Sequence, residues 1–243
     1  MKKSLAVLGY DTINIGDDIQ SFVSSCIFKP KYAVIRDNYD IVYNLQTGKK
    51  INLQEPITLV MNGWFMHDPN RKYTNKNVKF PYQNTLIEPY YVSISLNIDE
   101  MYSEKNIAHF KQYEPILTRD RASSTKLQKK GVNAIFIGCM TQRLKPDMLG
   151  YSGPINRDLI IYVDEKVPKD EKRPHIIISH IDKNLTRLNP AKRMEKAHNL
   201  LIFYFTRAKK IYTTRIHCYL PCKALGLDVE YRGSVEDRTR DLV

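Results

Sequence analysis

The sequence predicts an α/β protein with largely parallel sheets, and three observations carry that expectation. Short apolar runs alternate along the chain with stretches whose apolar residues recur at helical spacing. Turn formers gather at Met148-Leu149-Gly150-Tyr151-Ser152-Gly153, between Pro146 and Pro154, which divides the chain into residues 1–148 and 149–243. At 243 residues there is length for two α/β domains facing a cleft, each with its own core.

The strands are expected at 5–9, 32–35, 57–61, 92–96, 116–118, 134–138, 159–163, 176–179, 210–213 and 229–231, each a short run rich in aliphatic or aromatic residues. After the first of these, Ile19, Phe22, Val23 and Cys26 fall on one helical face, and Lys29-Pro30 ends that helix. A helix over 120–130 stops at Gly131. In the second half Met194, Ala197, Leu201, Tyr204 and Phe205 form an apolar stripe behind Pro190, a residue suited to a first helical turn. A last helix runs from near Arg215 to Gly226. Residues 62–90, rich in Asn, Pro, Lys and aromatics, read as a long irregular segment of the kind that serves as a functional lid.

Composition narrows the function. Hydrophobic residues make up 42% and charged residues 26% of the chain, which fits a folded soluble protein and neither a disordered chain nor a membrane bundle. Glycine is scarce, ten residues with no G-x-G among them, so the dinucleotide fingerprint and the Walker A loop are both absent. The net charge of +12 is even: 20 basic against 14 acidic residues before residue 151, and 18 against 12 from there on. Such a field attracts anions without saying which. Cys26, Cys139, Cys218 and Cys222 contain no C-x-x-C pair and read as reduced thiols of a cytoplasmic protein. The apolar start stops at Tyr10-Asp11 and reads as a strand, not a signal peptide, and no run is long enough to cross a membrane.

Three places can carry chemistry. The loop Asn14-Ile15-Gly16-Asp17 follows the first strand, where open parallel sheets bind ligands. It reads equally as plain helix capping, with Asp17 as the N-cap, Gly16 at the bend and Asn14 satisfying the turn's backbone. Thr213-Thr214-Arg215-Ile216-His217 opens the last helix and pairs an anion site with a titratable ring, or a surface ion pair with a structural histidine. Arg119, at the turn after 116–118, binds an anion or pairs with Asp120 or another nearby carboxylate. Cys218 and Cys222 are four apart on a helix but read as core cysteines, and His175 and His180 as structural.

Taken in order, these pieces resemble the polysaccharide pyruvyl transferase family. The family's opening N-x-G-D loop is similar to Asn14-Ile15-Gly16-Asp17, with Gln20 following. Its central strand ending in R-D before a serine-bearing helix is similar to Thr118-Arg119-Asp120-Arg121-Ala122-Ser123-Ser124, and a Gly-Val and a strand then lead into Gly138-Cys139-Met140-Thr141. Its S/T-R-x-H helix is similar to Thr214-Arg215-Ile216-His217 through Ala224-Leu225-Gly226, and its closing D-R element to Asp237-Arg238. Met140 stands where the family often has proline, and the second half is short.

The resemblance implies two Rossmann-like domains in a glycosyltransferase-B-like arrangement, and transfer of a pyruvyl group from phosphoenolpyruvate onto two hydroxyls of a sugar or polysaccharide, with loss of phosphate. It implies His217 as acid/base and Arg215 as donor anchor at the catalytic centre, with Arg119, Asn14, Asp17 and Thr214 contacting substrates. No metal and no cofactor beyond the donor are expected, and no nucleic acid partner, since RNP, zinc-finger and basic-zipper patterns are absent. A nucleotide-sugar glycosyltransferase of similar fold and a noncatalytic sugar-binding relative are the alternatives, and the oligomeric state is left open.

Overall fold

The computed structural model describes residues 3–65, 84–96, 98–235 and 237–243, without the side chains of Asp237 and Arg238. The first half contains β1 (Ser4–Gly9), α1 (Ile15–Phe28), β2 (Tyr32–Ile35), β3 (Asn38–Asn44), β4 (Lys50–Ile51), β5 (Ile57–Val60), β6 (Trp64–Phe65), β7 (Ile87–Tyr90), β8 (Ser95–Leu96), α2 (Glu104–Lys111), β9 (Ile116–Thr118), α3 (Arg121–Lys129) and β10 (Ala134–Phe136). The second half adds β11 (Leu159–Val163), β12 (His175–Ile178), α4 (Pro190–Arg207), β13 (Ala208–Thr213), α5 (Ile216–Ala224), β14 (Val229–Tyr231) and α6 (Asp237–Arg240). The class is mixed α/β, as expected.

A six-stranded sheet has the order β4-β3-β2-β1-β5-β7. Strands β2, β1, β5 and β7 run parallel, and β3 and β4 are added antiparallel at one edge. The chain leaves β1 for β2 on one side and later returns to β5 on the other, so the loop after β1 lies where the winding reverses. A four-stranded parallel sheet, order β12-β11-β13-β14, repeats this device: β12 lies on one side of β11 and β13 on the other. Two short parallel pairs, β9 with β10 and β6 with β8, complete the strands of the described residues.

One hydrophobic cluster runs through both halves, from Val7, Ile19 and Val23 to Ile161, Ala197, Leu201 and Ile211. A second covers the opposite face of the six-stranded sheet, where Leu8, Leu59 and Ile87 meet Phe110, Ile116 and Leu127. Inside the shared core, Arg193 of α4 grips Asp18 of α1 with both ends of its guanidinium, Nε–Oδ1 2.7 Å and Nη2–Oδ2 2.9 Å. Burial pushes the Asp18 carboxyl up to about 6 even with that partner.

The sequence expectations need four corrections. The strand expected at 92–96 shrinks to β8 because Ser93 takes a left-handed φ of 58°, and only a bridge from Ile94 to Thr118 precedes it. The one expected at 134–138 stops at Phe136, ahead of Gly138 at φ 79°. β3 and β4 were not expected, since the apolar run of Asn38–Asn44, Ile41-Val42-Tyr43, is short and set between Asp40 and Asn44. Both flanks of the segment expected to be irregular are strands. β6 lies near its start and β7 at its end, and Pro89 is tolerated because β7 is the sheet's edge. Residues 66–83 of that segment, His67 included, lie outside the described residues, as does Glu236. Among the described residues no helix is long and apolar enough to cross a membrane.

Candidate functional site

The loop after β1 meets the segment that follows β12. Ile15 N–H donates to the His180 carbonyl at 2.9 Å and Asp182 N–H to the Ile13 carbonyl at 2.7 Å, on either side of a bridge between Asn14 and Ile181. Asn14 caps α1, its Oδ1 accepting from Gly16 N–H at 3.0 Å. The cap is therefore Asn14 and not Asp17, because the helix begins at Ile15 and Asp17 already lies within its first turn. Released from capping, the Asp17 carboxylate accepts from Thr12 Oγ1 at 2.7 Å and from Gln20 Nε2 at 3.4 Å. Burial raises its pKa, with Arg36 and the Thr12 hydroxyl opposing. Gly16 has a spatial reason to lack a side chain: a Cβ there would sit 3.2 Å from His217 Cβ.

The α5 terminus is built on the neighbouring strand ends. Arg215 is the helix's N-cap, its N–H bound to Thr213 Oγ1 at 2.9 Å. Its Nε donates to Asp164 Oδ2 at 2.7 Å. Asp164 follows β11 with φ 50° and also receives Ser179 Oγ at 2.6 Å and His180 N–H at 3.0 Å. Desolvation works against ionisation of Asp164, but these three donors outweigh it and hold the carboxyl below its ordinary range. Thr214 Oγ1 donates to the Asp164 carbonyl at 3.0 Å, which fixes the turn. His217 stands buried in the first turn of α5.

Arg119 arrives from the end of β9 and is only 4% exposed. Its Nη1 donates to Gln20 Oε1 at 2.9 Å, its Nε has no partner, and among the described residues it forms no ion pair. Asp120 forms no ion pair with it; one oxygen of that carboxylate caps α3 through Ser123 N–H at 2.7 Å.

All six residues singled out in the sequence, Asn14, Asp17, Arg119, Thr214, Arg215 and His217, line one cavity of about 270 Å³. Gln20, Trp64, His180 and Tyr231 are among the other residues of its walls. His180, read from sequence as structural, is both: it is fully buried, holds Tyr204 Oη through Nε2 at 3.0 Å, and contributes to the cavity lining. Cys218 and Cys222 are wholly buried in the core. His109 sits elsewhere, 2.7 Å from Tyr91 Oη, with burial lowering its pKa to about 4. Gln20 was noted in sequence only as following the Asn14–Asp17 loop and was given no role, and Asp164 was missed, since no local spacing announces it. Two guanidinium groups, an imidazole and a carboxyl of raised pKa around one small cavity can hold a compact anion and exchange a proton with it.

No protein-family model matches the chain, and no curated protein matches it. Among solved structures, a functionally uncharacterized protein from Klebsiella pneumoniae subsp. pneumoniae is similar in fold, with a TM-score of 0.58 at 12% identity over 96% of this chain and 84% of the other. That likeness concerns the fold alone.

Proposed function

We propose that this protein is a pyruvyl transferase that moves the pyruvyl group of phosphoenolpyruvate onto a sugar or polysaccharide, forming a ketal and releasing phosphate. The observation that carries the reading is Arg119, a buried cation with an unpartnered Nε and no ion pair among the described residues, in the same cavity as Arg215 and His217. A buried charge of this kind is costly unless an anion completes it. Phosphoenolpyruvate carries a phosphate and a carboxylate, one for each arginine, and its methylene carbon must accept a proton before a hydroxyl attacks the adjacent carbon. In this reading His217 handles the proton, Arg215 and Arg119 anchor the donor, and Asn14, Asp17 and Thr214 line the substrate's path. The chain would be two Rossmann-like halves meeting near residue 148, glycosyltransferase-B-like and cytoplasmic.

The test pairs binding with turnover. Phosphoenolpyruvate should raise the Tm of the purified protein and nucleotide sugars should not. With a galactose- or mannose-type acceptor, phosphate release should follow, and His217→Gln should cut kcat by about 10²–10⁴-fold with little change in donor affinity. Stabilisation by nucleotide sugars alone, or an unchanged kcat and pH profile in His217→Gln, would overturn the reading.

A further inference from the structure

The Arg119 guanidinium is held in place by a group that cannot neutralise it. Gln20, on the buried face of α1 and 1% exposed, turns its Oε1 to Arg119 Nη1 at 2.9 Å and its Nε2 towards Asp17 Oδ1 at 3.4 Å. Its main-chain carbonyl accepts from Asn62 Nδ2 at 3.5 Å, and Asn62 Nδ2 also donates to Ser24 Oγ at 2.8 Å, which ties this turn of α1 to the strand ends of the six-stranded sheet. The amide therefore has one orientation, oxygen towards the cation and nitrogen towards the carboxylate. An acid of the same length at position 20 would satisfy Arg119 just as well in geometry and would also cancel its charge.

We propose that Gln20 is the specificity-determining residue of the cavity: it positions Arg119 through a neutral hydrogen bond, so the guanidinium keeps its full charge for a phosphate or carboxylate ligand. The inference deepens the anion-site reading above and requires only that the ligand be anionic, not that it be phosphoenolpyruvate. A hydrogen bond from a charged donor to a neutral amide leaves the long-range field of the cation intact, whereas a carboxylate at the same distance collapses it to a dipole. Gln20 lines the cavity beside Arg119 and in this scheme acts through it, so it is a positioning residue.

The experiment compares Gln20→Glu with Gln20→Met, using inorganic phosphate as the probe and Tm and phosphate affinity as readouts. Gln20→Glu should lose the phosphate-induced rise in Tm and bind phosphate at least tenfold more weakly than the wild type. Gln20→Met removes the acceptor but adds no charge, so its unliganded Tm should fall and its phosphate-induced rise should shrink but persist, unlike that of Gln20→Glu. If both variants keep that rise, or both lose it equally, Gln20 is merely structural and the inference fails. It fails as well if phosphate does not stabilise the wild-type protein. If the two variants divide as expected and phosphoenolpyruvate still supports no turnover, the charge role of Gln20 stands and the pyruvyl-transfer reading falls alone.

Discussion

Arg193 and Arg119 are both buried, at 1% and 4% exposure, and they are treated in opposite ways. Arg193, in the seam between α1 and α4, meets the two oxygens of Asp18 and the Thr12 carbonyl at 2.8 Å. Arg119, at the cavity, meets only an amide. The first arrangement is closed by an ion pair and joins two helices, although Arg193 Nη1, like Arg119 Nε, has no hydrogen-bond partner. The second has no ion pair among the described residues, with the Asp17 carboxyl within electrostatic reach, and it borders a space that an anion can enter.

Asp18→Asn would give Arg193 the kind of partner Arg119 has, but without a cavity. Breaking such a buried pair should cost about 3–5 kcal/mol of stability, measured by urea denaturation. A loss below about 1 kcal/mol would mean that the seam does not depend on the charge, and the contrast would lose its meaning. Arg119→Met runs the other way. Removing an uncompensated buried cation should leave stability within about 1 kcal/mol of the wild type, while phosphate affinity falls by about ten- to a hundredfold. Calorimetric titration would read the second effect, and an undiminished affinity would show that Arg119 is not the anion's partner.

The smallest effect is expected at the intermediate case, Arg215, which has a carboxylate partner but is half-exposed. Asp164 has a folded-state pKa below its ordinary 3.8, so the folded protein holds this proton less tightly than the unfolded chain does. Its stabilisation is therefore complete above about pH 4 and is lost as the pH falls through the lowered value. Asp164→Asn should be less stable than the wild type at pH 6 by no more than about 1 kcal/mol, and the gap should close towards pH 3. A gap that widens in acid would reverse the sign of this assignment.

What could be read from the sequence follows from the same physics. Strands β1 and β11 are visible because interior strands of a parallel sheet are apolar on both faces and read as continuous runs. β3 is hidden by the polar residues Asn38, Asp40 and Asn44 around its short apolar run, and β7 by the proline that its edge position permits. The loops carrying Asn14–Asp17 and Thr214–His217 are legible because chemistry and capping use the same small polar residues next to strand ends. The partners of the two cavity arginines are not legible. Gln20 lies 99 residues from Arg119 and Asp164 lies 51 from Arg215, and only the tertiary fold brings each pair together. For the same reason Asp17, a convincing N-cap on paper, yields that role to Asn14: a shift of helix start by a few residues reassigns every polar group in the turn.

The backbone stitch between residues 13–15 and 180–182 has a dynamic meaning. Swinging the two sheets apart about a hinge would break the bonds from Ile15 to His180 and from Asp182 to Ile13, and would drag the Arg193–Asp18 pair towards water. Each of these resists opening, so among the described residues the two sheets are held together beside the cavity by contacts that need no ligand.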